Sequence, residues 1–205
     1  MGEPKRIVTP LTEDAIASLR AGDECLVSGE LIGARDQAHR LLFDMVQRGE
    51  KLPFDLSGAV IYYVGPTPAR PGLPIGSAGP TTSARMDPFT PALLEKGLKG
   101  MIGKGQRSEE VKRAIMEHRA VYFAAPGGLG AYLASRIVSS AVIFAEELGP
   151  EAVRRLTVRD MPVIVVNDIH GGDAYLSGRR QYSHEDRIRA APHYLNTGLP
   201  TGVSH

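Results

Sequence analysis

Gly100-Met101-Ile102-Gly103-Lys104-Gly105-Gln106-Arg107-Ser108-Glu109-Glu110 decides the fold class. Residues 100–103 are small or apolar and read as a short buried strand. Lys104 stands between two glycines, in a turn. Ser108 then offers a hydroxyl to cap a helix, and Glu109 and Glu110 in its first turn suit the positive end of the helix dipole. Strand, turn and helix in direct succession are the repeating unit of an α/β protein, and a residue in that turn sits at the carboxyl end of the strand, where open α/β sheets bind ligands.

The same alternation extends to both sides. Upstream, Thr12 caps a short helix over 13–20, residues 24–31 alternate as a strand, and 34–48 form a helix with Ala38, Leu41, Leu42 and Met45 on one face. Residues 59–64 are a continuous apolar strand stopped by Gly65-Pro66-Thr67-Pro68. Thr90-Pro91 starts another helix, because proline is pre-set for a first turn. Downstream, 121–125 reads as a strand, 129–137 as a helix, and 142–145 and 162–166 as strands. The expectation is an α/β fold with at least one mixed sheet over residues 1–176. A polar tail, 177–205, follows once the apolar pattern ends.

Composition removes several function classes. The chain of 205 residues has a formal net charge of +1, so no global field points to nucleic acid or to a membrane surface. No apolar run is long enough to span a bilayer, and the first residues lack the apolar segment of a secretion signal. The expected compartment is the cytoplasm. Cys25 is the single cysteine. One thiol makes no internal disulfide and cannot by itself hold an iron–sulfur cluster or a cysteine-based zinc site. The histidines show no His-Glu-x-x-His spacing, so no metal site is expected in this chain.

Three loops concentrate polar groups. In Gly33-Ala34-Arg35-Asp36-Gln37-Ala38-His39, Arg35 and His39 are one helical turn apart. An arginine fork suits a carboxylate, and a histidine can relay a proton. A helix-start ion pair with a solvent-facing histidine explains the same residues. In Gly79-Pro80-Thr81-Thr82-Ser83-Ala84-Arg85-Met86-Asp87, three hydroxyls and an arginine can hold an anion; a polar turn with capping hydroxyls is the alternative. The third loop is that of Lys104. It is not a phosphate-binding Walker loop: the glycine required five residues before Gly103 is missing, and Gly105 replaces Ser/Thr. Arg35, Arg85 and Lys104, with Arg107 nearby, make a cationic set suited to a small substrate with two carboxylates, provided that the loops converge.

Taken in order, these loops carry a resemblance. Ala34-Arg35-Asp36-Gln37-Ala38-His39, Leu52-Pro53-Phe54-Asp55-Leu56, Ile61-Tyr62-Tyr63-Val64-Gly65-Pro66-Thr67-Pro68, Gly79 to Asp87, Gly100-Met101-Ile102-Gly103-Lys104-Gly105 and Pro162-Val163-Ile164-Val165-Val166-Asn167-Asp168 are similar to the C-terminal domain of class I, iron–sulfur fumarate hydratases. That domain also exists as a separate β subunit, including that of tartrate dehydratase. The resemblance implies a swivelling β/β/α three-layer domain with mixed sheets. It implies a hydro-lyase acting on a dicarboxylate, fumarate to (S)-malate first, with tartrate or mesaconate-type substrates as alternatives. The [4Fe–4S] cluster would be held by a partner α subunit, in a homodimer or α2β2 assembly. Arg35, Arg85 and Lys104 match carboxylate binders, Thr81 a proposed base, and His39 a histidine proposed as catalytic, with Asp36 orienting groups beside them. Ala84 stands where glycine is common. A non-catalytic anion-binding module of the same fold is the reading of another class.

Overall fold

The computed structural model describes residues 3–182. Contacts divide the chain into two units, Met1–Ala174 and Tyr175–His205, and the architecture that follows is that of the first. Residues 183–205, most of the expected polar tail, lie outside the described residues. In chain order its elements are β1 (Lys5–Val8), α1 (Glu13–Ser18), β2 (Glu24–Gly33), α2 (Asp36–Gln47), β3 (Val60–Tyr62), α3 (Thr90–Glu95), β4 (Gly100–Gly103), α4 (Glu109–Glu117), β5 (Val121–Ala124), α5 (Gly130–Ala134), β6 (Ile137–Phe144) and β7 (Val153–Asn167); the helix α6 (Ala174–Tyr182) falls, but for its first residue, in the second unit.

The strands form one mixed sheet in the order β1-β2-β3-β4-β5-β7-β6. β1 to β5 run parallel to their neighbours, and β7 runs antiparallel to both β5 and β2. The second pairing, β2 with β7, closes β2, β3, β4, β5 and β7 into a five-stranded barrel. Closure removes the sheet edges that the parallel strands would otherwise expose.

Buried runs explain the layering. β3 and β4 are buried at every position, as expected for parallel strands covered on both faces. Val60, Tyr62, Val64, Ile102, Val121 and Phe123 join the core cluster. The alternate residues Ile61, Tyr63, Met101 and Tyr122 are equally buried. Helices cover that second face; His39 of α2, for example, meets the Tyr63 ring edge-on at 5.0 Å.

Caps set the helix ends. The Thr12 hydroxyl accepts from the Ala15 amide at 3.2 Å, and the Ser108 hydroxyl accepts from Val111 at 3.2 Å. Several expected boundaries move, two of them substantially. The helix expected over 129–137 ends at Ala134, and Ile137 already begins β6. The strand expected at 162–166 is the far half of the long β7; its near half carries Arg154, Arg155 and Arg159, and both halves pair with β2 to close the barrel.

Candidate active site

β2, β3 and β4 run parallel, so their carboxyl ends lie together, and all three polar loops emerge there. The loops converge. The stretch after Pro80 is laced between β3 and β4: the Thr81 amide donates to the Tyr63 carbonyl at 2.7 Å, the Lys104 amide to the Thr81 carbonyl at 3.2 Å, and the Ser83 amide to the Lys104 carbonyl at 2.9 Å. Thr81 and Lys104 are thereby fixed beside each other. Gly103 makes this possible, because a side chain there would collide with Ser83 Oγ and stand 2.8 Å from Tyr63 Cδ2.

A carboxylate ties the first loop to the second. One oxygen of Asp36 lies 3.0 Å from Arg35 Nε and the other 3.2 Å from Arg85 Nε. Arg35 also reaches Glu151, 3.5 Å from its Nη2. Its side chain crosses Gly65 so closely that an added Cβ would sit 2.8 Å from both Cδ and Nη1. Arg85 and Lys104 are exposed. Arg85 keeps its terminal nitrogens without an ion pair, and Lys104 has no carboxylate partner among the described residues. The result is an open cationic shelf rather than a cavity.

Glu151 is the residue that sequence reasoning missed. Arg35 is the N-cap of α2 and gives no side-chain cap. The cap comes from Glu151, which accepts from the Gln37 amide at 2.9 Å. Its only sequence signal is an acidic residue in a polar stretch, and the partner lies far along the chain.

His39 is fully buried, contrary to the reading of it as a solvent-facing residue. Its Nδ1 is 3.0 Å from the Arg35 carbonyl, which can only accept, so Nδ1 carries the proton. Nε2 then keeps a lone pair with no partner. Burial holds the imidazole pKa down to about 4, against a weaker upward pull from the Arg35 carbonyl. His39 is therefore a neutral group beneath the shelf.

The three adjacent hydroxyls part company. Thr82 is exposed. Ser83 turns inward, with its Oγ 2.9 Å from the Tyr122 hydroxyl, which donates to the Gly105 carbonyl at 2.7 Å. The Thr81 hydroxyl makes no hydrogen bond among the described residues, and Thr81 is 8% exposed at the rim. Arg107, counted with the cations from sequence, instead points into the body. Its Nε pairs with Asp87 at 2.6 Å, Nη2 donates to Thr90 at 2.8 Å, and the guanidinium lies over the Tyr63 and Tyr122 rings.

No group of three or more His, Cys, Asp or Glu side chains among the described residues could hold a metal ion. Cys25 is buried on β2, and burial pushes its thiol pKa up to about 12. A thiol held protonated is a poor metal ligand. The described residues do not fit an iron–sulfur cluster.

The family described as Fumarase C-terminus matches residues 5–178. A protein of Methanocaldococcus jannaschii provisionally named L(+)-tartrate dehydratase subunit β is 37% identical over 171 residues, covering 80% of this chain and 88% of its own. The anaerobic class I fumarate hydratase of Escherichia coli is 36% identical over 151 residues, covering 73% of this chain but 28% of its own length. Fumarate hydratase 1, mitochondrial, of Leishmania major gives the same figures. The chain thus spans less than a third of these two fumarate hydratases.

Proposed function

Because the chain belongs to the Fumarase C-terminus family, we propose that it is the β subunit of a two-subunit hydro-lyase and supplies the carboxylate-binding half of the active site. The observation that carries this reading is the convergence of Arg35, Arg85, Thr81 and Lys104 at the carboxyl ends of β2, β3 and β4. The substrate is a small dicarboxylate, fumarate and (S)-malate first. Tartrate is the second reading, favoured by the name and the matching length of the M. jannaschii relative.

The residues divide the work by chemistry. Arg85 and Lys104, exposed and with donors to spare, take the carboxylates. Arg35, clamped by Asp36, Glu151 and Gly65, presents a fork of fixed orientation. Removing a proton next to a carboxylate builds negative charge on that carboxylate, and these cations face it. The Thr81 hydroxyl is the group placed to move the proton. A neutral threonine is a weak base, and adjacent cations favour its deprotonated form. His39 acts as a positioning residue: it grips the Arg35 carbonyl and packs on Tyr63, whose own carbonyl holds Thr81.

Class I fumarate hydratases are iron–sulfur enzymes. In the proposed enzyme the residues holding such a cluster would belong to the partner α subunit, and the chemistry it would supply when bound is that of a Lewis acid. The assembly we propose is α2β2 and cytoplasmic. Met1–Ala174 acts as a swivelling domain that closes the shelf against the partner. No helix of the described residues is long and apolar enough to cross a membrane. A substrate panel of fumarate, tartrate and mesaconate on the reconstituted pair, under anaerobic conditions, tests the reading. Absence of turnover with every dicarboxylate would contradict it and favour a non-catalytic anion-binding module.

A further inference from the structure

A second cleft, with a volume of about 260 Å³, is walled by Pro66, Pro68, Pro74, Ile75 and Pro150, and Arg154 lines it. Arg154 stands on β7 opposite Gly33 of β2, close to Val64. It therefore lies at the same end of the barrel as the shelf. Its Nε is buried without a hydrogen-bond partner, and its guanidinium has no ion pair among the described residues. Its neighbour Arg155, by contrast, pairs with Glu30 at 3.2 Å. The side chain as a whole is only half-buried, so its terminal nitrogens, which make no hydrogen bond or ion pair among the described residues, are the donors open to an anion in the cleft.

The walls narrow the choice of anion. Prolines have no amide N–H, so they bring rigid apolar surface and no donors. Thr67 also lines the cleft, and its hydroxyl oxygen already accepts from the Ser77 amide at 2.8 Å. The volume lies just under the roughly 300 Å³ at which pockets for drug-sized ligands begin. We propose that this cleft binds a small carboxylate with a short apolar stem, at a site separate from the Arg35–Arg85–Lys104 shelf.

The two sites share a wall. Pro150 precedes Glu151, which holds Arg35 and caps α2. Pro66 follows Gly65, on which Arg35 lies. An occupant of the cleft would therefore lie one residue along the chain from each support of Arg35. The inference does not depend on the hydro-lyase reading, because binding to the chain alone tests it.

The experiment is a titration of the full chain with succinate, followed by amide NMR. Thr67, Ile75 and Gly149 report the cleft; Asp36, Thr82 and Lys104 report the shelf. Both sets should shift in the wild type. Arg154→Gln should weaken the response of the first set about tenfold or more, the loss expected for a charge-assisted contact, while the second set still responds. Arg85→Ala should do the reverse. If Arg154→Gln loses its dispersed spectrum, Arg154→Lys, which keeps the charge but not the fork, should give the same selective weakening. Cleft signals that stay still in the wild type, that respond unchanged in a folded Arg154 variant, or that move equally with sodium chloride at matched ionic strength would overturn the proposal.

Discussion

Asp36 and Arg85, from two different loops, meet at 3.2 Å, while the second oxygen of the same carboxylate holds Arg35 at 3.0 Å. The aspartate fixes the spacing of two like charges that would otherwise repel. Asp36→Asn should leave the fold intact and raise KM for the dicarboxylate more than it lowers kcat. Steady-state kinetics of the reconstituted pair checks this, and an unchanged KM counts against the clamp.

Arg85 is the arm of that cluster that reaches solvent. If Arg85 binds a substrate carboxylate as proposed, replacing it by alanine should cost about 1.5–3 kcal/mol of transition-state binding, or roughly ten- to a hundredfold in kcat/KM. The melting temperature should move little, because the Arg85 side chain is 47% exposed. Equal kcat/KM in the variant and the wild type would refute the assignment.

Gly65 tests the position of Arg35 without touching its charge. Gly65→Ala places a methyl group 2.8 Å from both Arg35 Cδ and Nη1, closer than such contacts allow. The side chain must move, so dicarboxylate binding should weaken about tenfold, the lower end of a lost charge-assisted bond, with little change in unfolding free energy. Restored binding in Gly65→Ala with Arg35→Lys would indicate a steric rather than an orientational effect.

The strand, turn and helix starts around these residues were legible in sequence because short-range rules governed them. Glycine before a polar turn, a hydroxyl before two glutamates and an apolar run before Gly-Pro each fix a local conformation. Glu151 and the near half of β7 were not legible. Arg154, Arg155 and Arg159 lower the apolar signal of a strand whose purpose is to close the barrel, and closure is decided by pairing with the distant β2. Arg107 misled for a related reason. Sequence shows its charge beside Lys104 but not Asp87, Thr90 and the two tyrosine rings that draw it inward.

Arg107 should accordingly matter for stability. Its side chain is fully buried against Asp87, and Asp87 also accepts from the Ser108 amide at 2.7 Å. Arg107→Met leaves the largely buried Asp87 carboxylate without its charge partner, a loss on the order of 3 kcal/mol, the lower end for a broken buried pair. Chemical denaturation measures it, and a change below about 1 kcal/mol would contradict this placement.

His39 gives a pH signature. Its folded pKa, about 4, lies below the ordinary 6.5. The unfolded chain therefore binds the proton more readily, and stability rises with pH between the two values. The contribution is fully present above about pH 6.5, is lost as pH falls toward 4, and is on the order of 3 kcal/mol. His39→Gln should flatten that slope, and the His39 ring signals should not titrate between pH 5 and 8.

In the proposed division of labour this chain provides carboxylate recognition and the proton-moving group but no metal. The most direct test is anaerobic turnover of fumarate, tartrate and mesaconate by this chain alone, by a cluster-bearing α subunit alone, and by the two together. Turnover of one of these substrates is expected only in the mixture, reduced at least about tenfold by Arg85→Ala. Turnover by this chain alone, or turnover by the α subunit that its addition does not change, would contradict that division.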